Sequence, residues 1–203
     1  YIIVEAKITA TAPVSGLFVG LYADWDIGTA TQNQVSYEPS RQLGVMSSLA
    51  GDPSFYGLQL LSHPASGFRA VDNAVFVYPS GPDPGFEDAD KFQFFQGFGT
   101  VQSDRPADWS DMISAGPFNL PPGGSVEVAF ALLAGATPSD LLIQAGQALS
   151  RWNAGIDSPC TQAGQCRFPP AGSDHFESTG QVTIDLPSLG GPMTVALSGP
   201  VMV

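Results

Sequence analysis

Charge is scarce in this sequence, and positive charge scarcest. Charged residues make up 13% of 203, and seven Lys and Arg face nineteen Asp and Glu, a formal net charge of −12. Nucleic-acid binding depends on cationic side chains that displace counterions from phosphates, and anionic membrane surfaces attract the same groups. The balance speaks against both and leaves divalent cations and neutral or cationic partners open. Histidine occurs only at 63 and 175. Neither His63 nor His175 has a second His or Cys at ligand spacing, so the common zinc patterns are missing. No Gly-x-Ser-x-Gly elbow occurs, and Gly97-Phe98-Gly99 reads as a bend, not a phosphate loop. The longest apolar stretch, Val128 to Ala136, is far too short to cross a bilayer. No membrane insertion is expected.

Cysteine is nearly absent. Cys160 and Cys166 are the only two, in a loop without a ligand-spaced His. A local disulfide fits that spacing better than a zinc site or two free thiols, and it points to an oxidising compartment. Tyr1 opens directly into a strand-like run with no signal peptide, so a targeting segment is expected to have been removed or to lie outside this sequence.

Glycine and proline are plentiful, at 23 and 18 residues, beside 43% hydrophobic residues. That mixture favours many short strands and tight turns. Residues 2–11 alternate, with Ile2, Val4, Ala6, Ile8 and Ala10 on one face, and residues 17–24 are apolar on both faces. The two read as a hairpin turned at Pro13 and Gly16. Further strands are expected at 43–48, 55–62, 70–78 and 125–134. Three prolines make 79–90 an acidic surface loop, and 91–100 is an aromatic-rich run whose phenylalanines read as core. One helix is expected at about 137–153, with Thr137 as N-cap and Leu141, Leu142, Ala145, Ala148, Leu149 and Trp152 on one face. A disulfide-containing loop at 154–176 then leads to a C-terminal hairpin at 179–203. The sum is one mostly β domain over 1–203, an antiparallel β-sandwich of roughly nine to eleven strands with one α-helix.

Two acidic clusters are candidate cation sites. In Asp24-Trp25-Asp26-Ile27-Gly28, alternate positions point the same way, so Asp24 and Asp26 present two carboxylates to one ion, with Asn33 a few residues on. Calcium takes six to eight oxygens, which backbone carbonyls and water would complete. Asp83, Glu87, Asp88 and Asp90 form the second, weaker cluster. For both, the alternative is a solvated turn whose carboxylates cap backbone N–H groups. A glycosidase would need one pair of carboxylates in a cleft, and nothing in the spacing singles one out.

The run Gly16-Leu17-Phe18-Val19-Gly20-Leu21-Tyr22-Ala23-Asp24-Trp25-Asp26-Ile27-Gly28 is similar to a stretch in large exported microbial surface proteins. So is Ser114-Ala115-Gly116-Pro117-Phe118 followed by Val128-Ala129-Phe130-Ala131-Leu132-Leu133-Ala134-Gly135. Some proteins of that kind carry subtilisin-like protease modules. The resemblance covers most of 1–152 and implies secretion and a β-rich surface role, with no catalytic residues to transfer.

The expected function is therefore a non-catalytic extracellular or cell-surface module, structural or adhesive. Apolar strand-like ends point to a subunit of a fibre assembled by strand exchange, with itself or with neighbouring domains of a surface protein. The alternative is an accessory domain of a larger secreted enzyme, binding carbohydrate or peptide through Trp25, Trp109 or Trp152. A hydrolase is the third reading.

Overall fold

The computed structural model describes residues 1–80 and 85–154, together with the backbone of two later strands, His175–Leu186 and Gly191–Met202. Asp83, Cys160 and Cys166, and with the cysteines the expected disulfide, lie outside the described residues.

The described residues form ten strands: β1 (Ile2–Thr9), β2 (Val14–Ala23), β3 (Asn33–Glu38), β4 (Leu43–Ser48), β5 (Phe55–Leu60), β6 (Ala65–Asp72), β7 (Trp109–Leu120), β8 (Ser125–Gly135), β9 (His175–Leu186) and β10 (Gly191–Met202). They make a seven-stranded sheet in the order β3-β4-β5-β8-β1-β10-β9 and a three-stranded sheet in the order β2-β7-β6. Every strand pairing is antiparallel. The expectation of a mostly β, antiparallel fold therefore stands.

The expected hairpin at the start does not form. β1 pairs with β8 from Ile2↔Leu132 to Thr9↔Ser125, whereas β2 pairs with β7 in the other sheet. Alternation shows that each strand must bury an apolar face, and stacking in two layers buries it as well as pairing does. The short link through Pro13 carries the chain between layers. Nor does either end strand lack a partner. β1 is flanked by β8 and, over Ala6–Thr9, by β10, which in turn pairs with β9 along its length.

The single expected helix becomes three: α1 (Asn73–Phe76), α2 (Asp88–Phe95) and α3 (Pro138–Asn153). α3 is the foreseen one. Thr137 Oγ1 accepts from the Asp140 N–H at 3.1 Å, and Leu141, Ala145 and Ala148 pack on Ala129, Ala131 and Leu133 of β8. Gly135 makes the close approach possible, since a Cβ there would lie 2.5 Å from the Leu141 nitrogen. α2 was hidden because its first turn lies in the acidic, proline-rich stretch and its remainder in the aromatic run. Two acids complement the helix N-terminus, and Phe94 is buried against the smaller sheet beside Val71 and Met112.

The two sheets share one core. Val35, Met46, Leu58, Leu60, Val128 and Phe130 of the larger sheet meet Phe68, Ala70, Trp109, Ile113 and Ala115 of the smaller. From Trp109 to Ala115 of β7 the odd positions face this core and the even positions face the side of α1 and α2.

Candidate functional site

Strand alternation continues past the end of β2 and sorts the next residues to opposite sides. Trp25 turns inward, its ring 5.4 Å from Tyr56, and Ile27 is buried in the shared core. Asp24 turns outward on the Tyr22 side. Asp26 has φ 44°, in the left-handed region that non-glycine residues rarely occupy. Gly28 follows with φ 56°, and a Cβ there would meet the Asp52 nitrogen at 2.7 Å. The loop thus bends tightly against residues 50–52.

Asp24 and Asp26 come together as their spacing predicts. Their third partner is Asp108, just before β7: one carboxylate oxygen from each of the three lies within 4.8 Å of the others. Asn33, the third residue expected beside them, sits next to this site in β3. Its carboxamide is fully buried and makes no hydrogen bond, and its backbone is bridged to Ala107. Asp108 carried no signal because it is 82 residues beyond Asp26 in the chain, and only the fold brings them close.

Asn73, the first residue of α1, holds two of the three, Asp24 and Asp108. Fully buried, it donates through Nδ2 to Asp108 Oδ1 at 2.6 Å and to both Asp24 oxygens at 3.4 Å. Its Oδ1 accepts from the Ser110 hydroxyl at 2.6 Å, and Ser110 Oγ accepts from the Tyr22 hydroxyl at 2.6 Å. Burial pushes the Tyr22 hydroxyl up to about 12, so it stays a donor. Burial, and then the Asp26 charge, raise the Asp24 carboxyl above its ordinary value, opposed by hydrogen bonds from Ser110 and Asn73. Three acids converging with donors behind two of them can accept protons or a hard cation, whose ligand shell backbone carbonyls and water would complete.

The second cluster takes up helix-start duties. Asp90 Oδ2 accepts from the Glu87 N–H at 3.2 Å, and Asp88 pairs with Lys91 at 3.1 Å. Glu87 is the residue at the N-cap of α2. Asp90 thus makes a local cap of the kind weighed against a cation and Asp88 a surface ion pair, while Asp83 lies outside the described residues.

The remaining candidates scatter. The Nε2 atom of His63 is 2.8 Å from the Glu127 carbonyl oxygen, and its ring packs edge-on to Phe118. His175 is described only as backbone. Trp109 is buried in the shared core, Trp152 of α3 packs on the cluster between α3 and β8, and Trp25 is half-buried, so the three do not line one groove. No helix among the described residues is long and apolar enough to cross a membrane. No protein-family model matches the chain, and no curated protein matches it.

Proposed function

We propose that the chain is a non-catalytic, extracellular structural or adhesive module that joins further copies, or neighbouring domains of a surface protein, by adding strands to a sheet edge. The observation that carries this reading is β9. It ends the seven-stranded sheet, runs for 12 residues, and has β10 as its one strand neighbour among the described residues. Unpaired N–H and C=O groups along such an edge are a template for another chain. At about 3.4 Å per residue the template is roughly 40 Å long.

The opposite edge differs. Along β3 the Ser103 N–H donates to the Val35 carbonyl at 2.9 Å, the Val35 N–H donates to Ser103 Oγ at 2.9 Å, and Asn33 bridges Ala107. That edge is covered by the loop before β7. The sandwich-like layering supports the reading too, since strands of the two sheets bury apolar side chains in a shared core and against α3.

The test is the particle itself. Light scattering after size exclusion, with electron microscopy, is expected to find dimers or longer assemblies at high concentration. Val182→Pro and Thr183→Pro then separate the two edges of β9. Adjacent N–H groups on a strand point to opposite sides, so one proline removes an outward donor and the other breaks the pairing with β10. The outward variant should stay folded and become monomeric. A wild-type chain that remains monomeric at every concentration overturns the proposal.

A further inference from the structure

Among the described residues, one carboxyl group is fully buried between the sheets. Asp111 lies on β7 between Trp109 and Ile113 in the inward-facing row and is fully buried. Its neighbours across the strands are Ala23 of β2 and Ala70 of β6. Oδ1 accepts from the Trp25 indole N–H at 3.2 Å, while Oδ2 has no hydrogen-bond partner. Oδ2 points across the layers to β4 of the larger sheet, where a Cβ on Gly44 would lie 2.7 Å from it and would also strike the Phe68 ring. The carboxyl therefore sits in the contact between sheets, with the Trp25 indole, two alanines, a glycine and a phenylalanine around it and its own backbone N–H as a further donor.

We propose that Asp111 is a proton-operated latch between the two sheets: protonated, it lets the layers close, and its ionisation loosens the contact of β7 with β4 and releases Trp25. The chemistry is acid dissociation alone. The carboxylic acid gives its proton to water and leaves a carboxylate that the core cannot solvate.

The charges around it do not offset that cost. Asp24, on the loop that carries Trp25, acts on Asp111 with the same sign. β4 contributes no titratable side chain. On β6, Arg69 lies over the Phe94 ring on the far face, and Asp72 is paired with Arg105. On β3, Tyr37 is stacked on Phe68 at 4.4 Å between centroids. Desolvation, foremost, pushes the Asp111 carboxyl up to about 7, with the Trp25 hydrogen bond pulling the other way.

Opening restores an ordinary aspartate, so the closed form binds the extra proton between the two values. The stabilisation is complete below the ordinary carboxyl range, fades as pH rises towards 7, and does not change further above it. Asp24 contributes with the same sign, which is why a comparison within one background is needed.

Two measurements test the latch in the intact chain. In 13C NMR the Asp111 Cγ, identified by its loss in Asp111→Asn, should titrate with a midpoint between about pH 6 and 8. From pH 5 to 8 the wild-type unfolding constant should rise more than about tenfold, and that of Asp111→Asn, which keeps a neutral side chain of the same shape, less than about threefold. A Cγ titrating below about pH 5, or equal pH dependence in the two proteins, overturns the proposal. If Asp111→Asn fails to fold, Cγ signals are assigned by through-bond correlation and the midpoint decides.

Discussion

Asn73 shows how much one buried side chain can organise. It supplies donors to Asp24 and Asp108 and an acceptor to Ser110. Asn73→Ala removes all three at once and leaves a buried hydroxyl and two carboxylates short of partners. The expected loss is about 2–3 kcal/mol in urea denaturation. Gly44 is a second such position. Any side chain there collides with Phe68 and Asp111, so Gly44→Ala should cost about 1–3 kcal/mol by the same measurement. Trp25→Phe keeps an aromatic ring near Tyr56 but deletes the side-chain donor to Asp111. That hydrogen bond lowers the carboxyl's proton affinity, so its loss moves the alkaline fall in stability to higher pH. At this scale the sequence was half legible. Alternation was enough to pair Asp24 with Asp26, because both lie on one extended segment. Asp108, Asn73 and Asp111 are joined to that segment only through space, and no local pattern marks them.

Elements were legible where one period ruled. The helical spacing of Leu141, Leu142, Ala145, Ala148, Leu149 and Trp152 and the Thr137 cap defined α3, although Leu142 and Leu149 lie exposed at the margin of the buried face, and Thr137→Ala is expected to cost about 1 kcal/mol of stability. β7 was not expected as a strand because Ser110, Asp111 and Ser114 break its apolar pattern. The first two serve the polar network and the core, and Ser114 hydrogen-bonds Ser66 and the Phe95 carbonyl. α2 was missed because turn residues and helix-starting acids share the same types. The link between β1 and β2 misled for another reason: periodicity tells which face is buried, not whether the next strand pairs or stacks. The loop after β2 offers a direct check of its electrostatics. Asp26→Asn relieves repulsion on Asp24 and should raise the melting temperature in the presence of a chelator. If the trio takes up calcium, added calcium should raise the wild-type melting temperature and raise that of Asp26→Asn less.

Across the whole molecule, the edges of the two sheets carry the functional reading. The seven-stranded sheet ends at β3, where the segment before β7 occupies the backbone, and at β9, beside which no strand lies among the described residues. The excess of carboxylates works against casual association at low salt, because like-charged copies repel until counterions screen them. Assembly through β9 should therefore strengthen as sodium chloride rises from about 20 to 200 mM, as the screening length shortens.

Hydrogen exchange along β9, followed residue by residue at low and high protein concentration, tests the edge most directly. If β9 receives a partner strand, every second amide exchanges fast when dilute and becomes protected on concentration, while the amides between them are protected throughout by β10. Outward amides that exchange at one rate at every concentration would contradict the account.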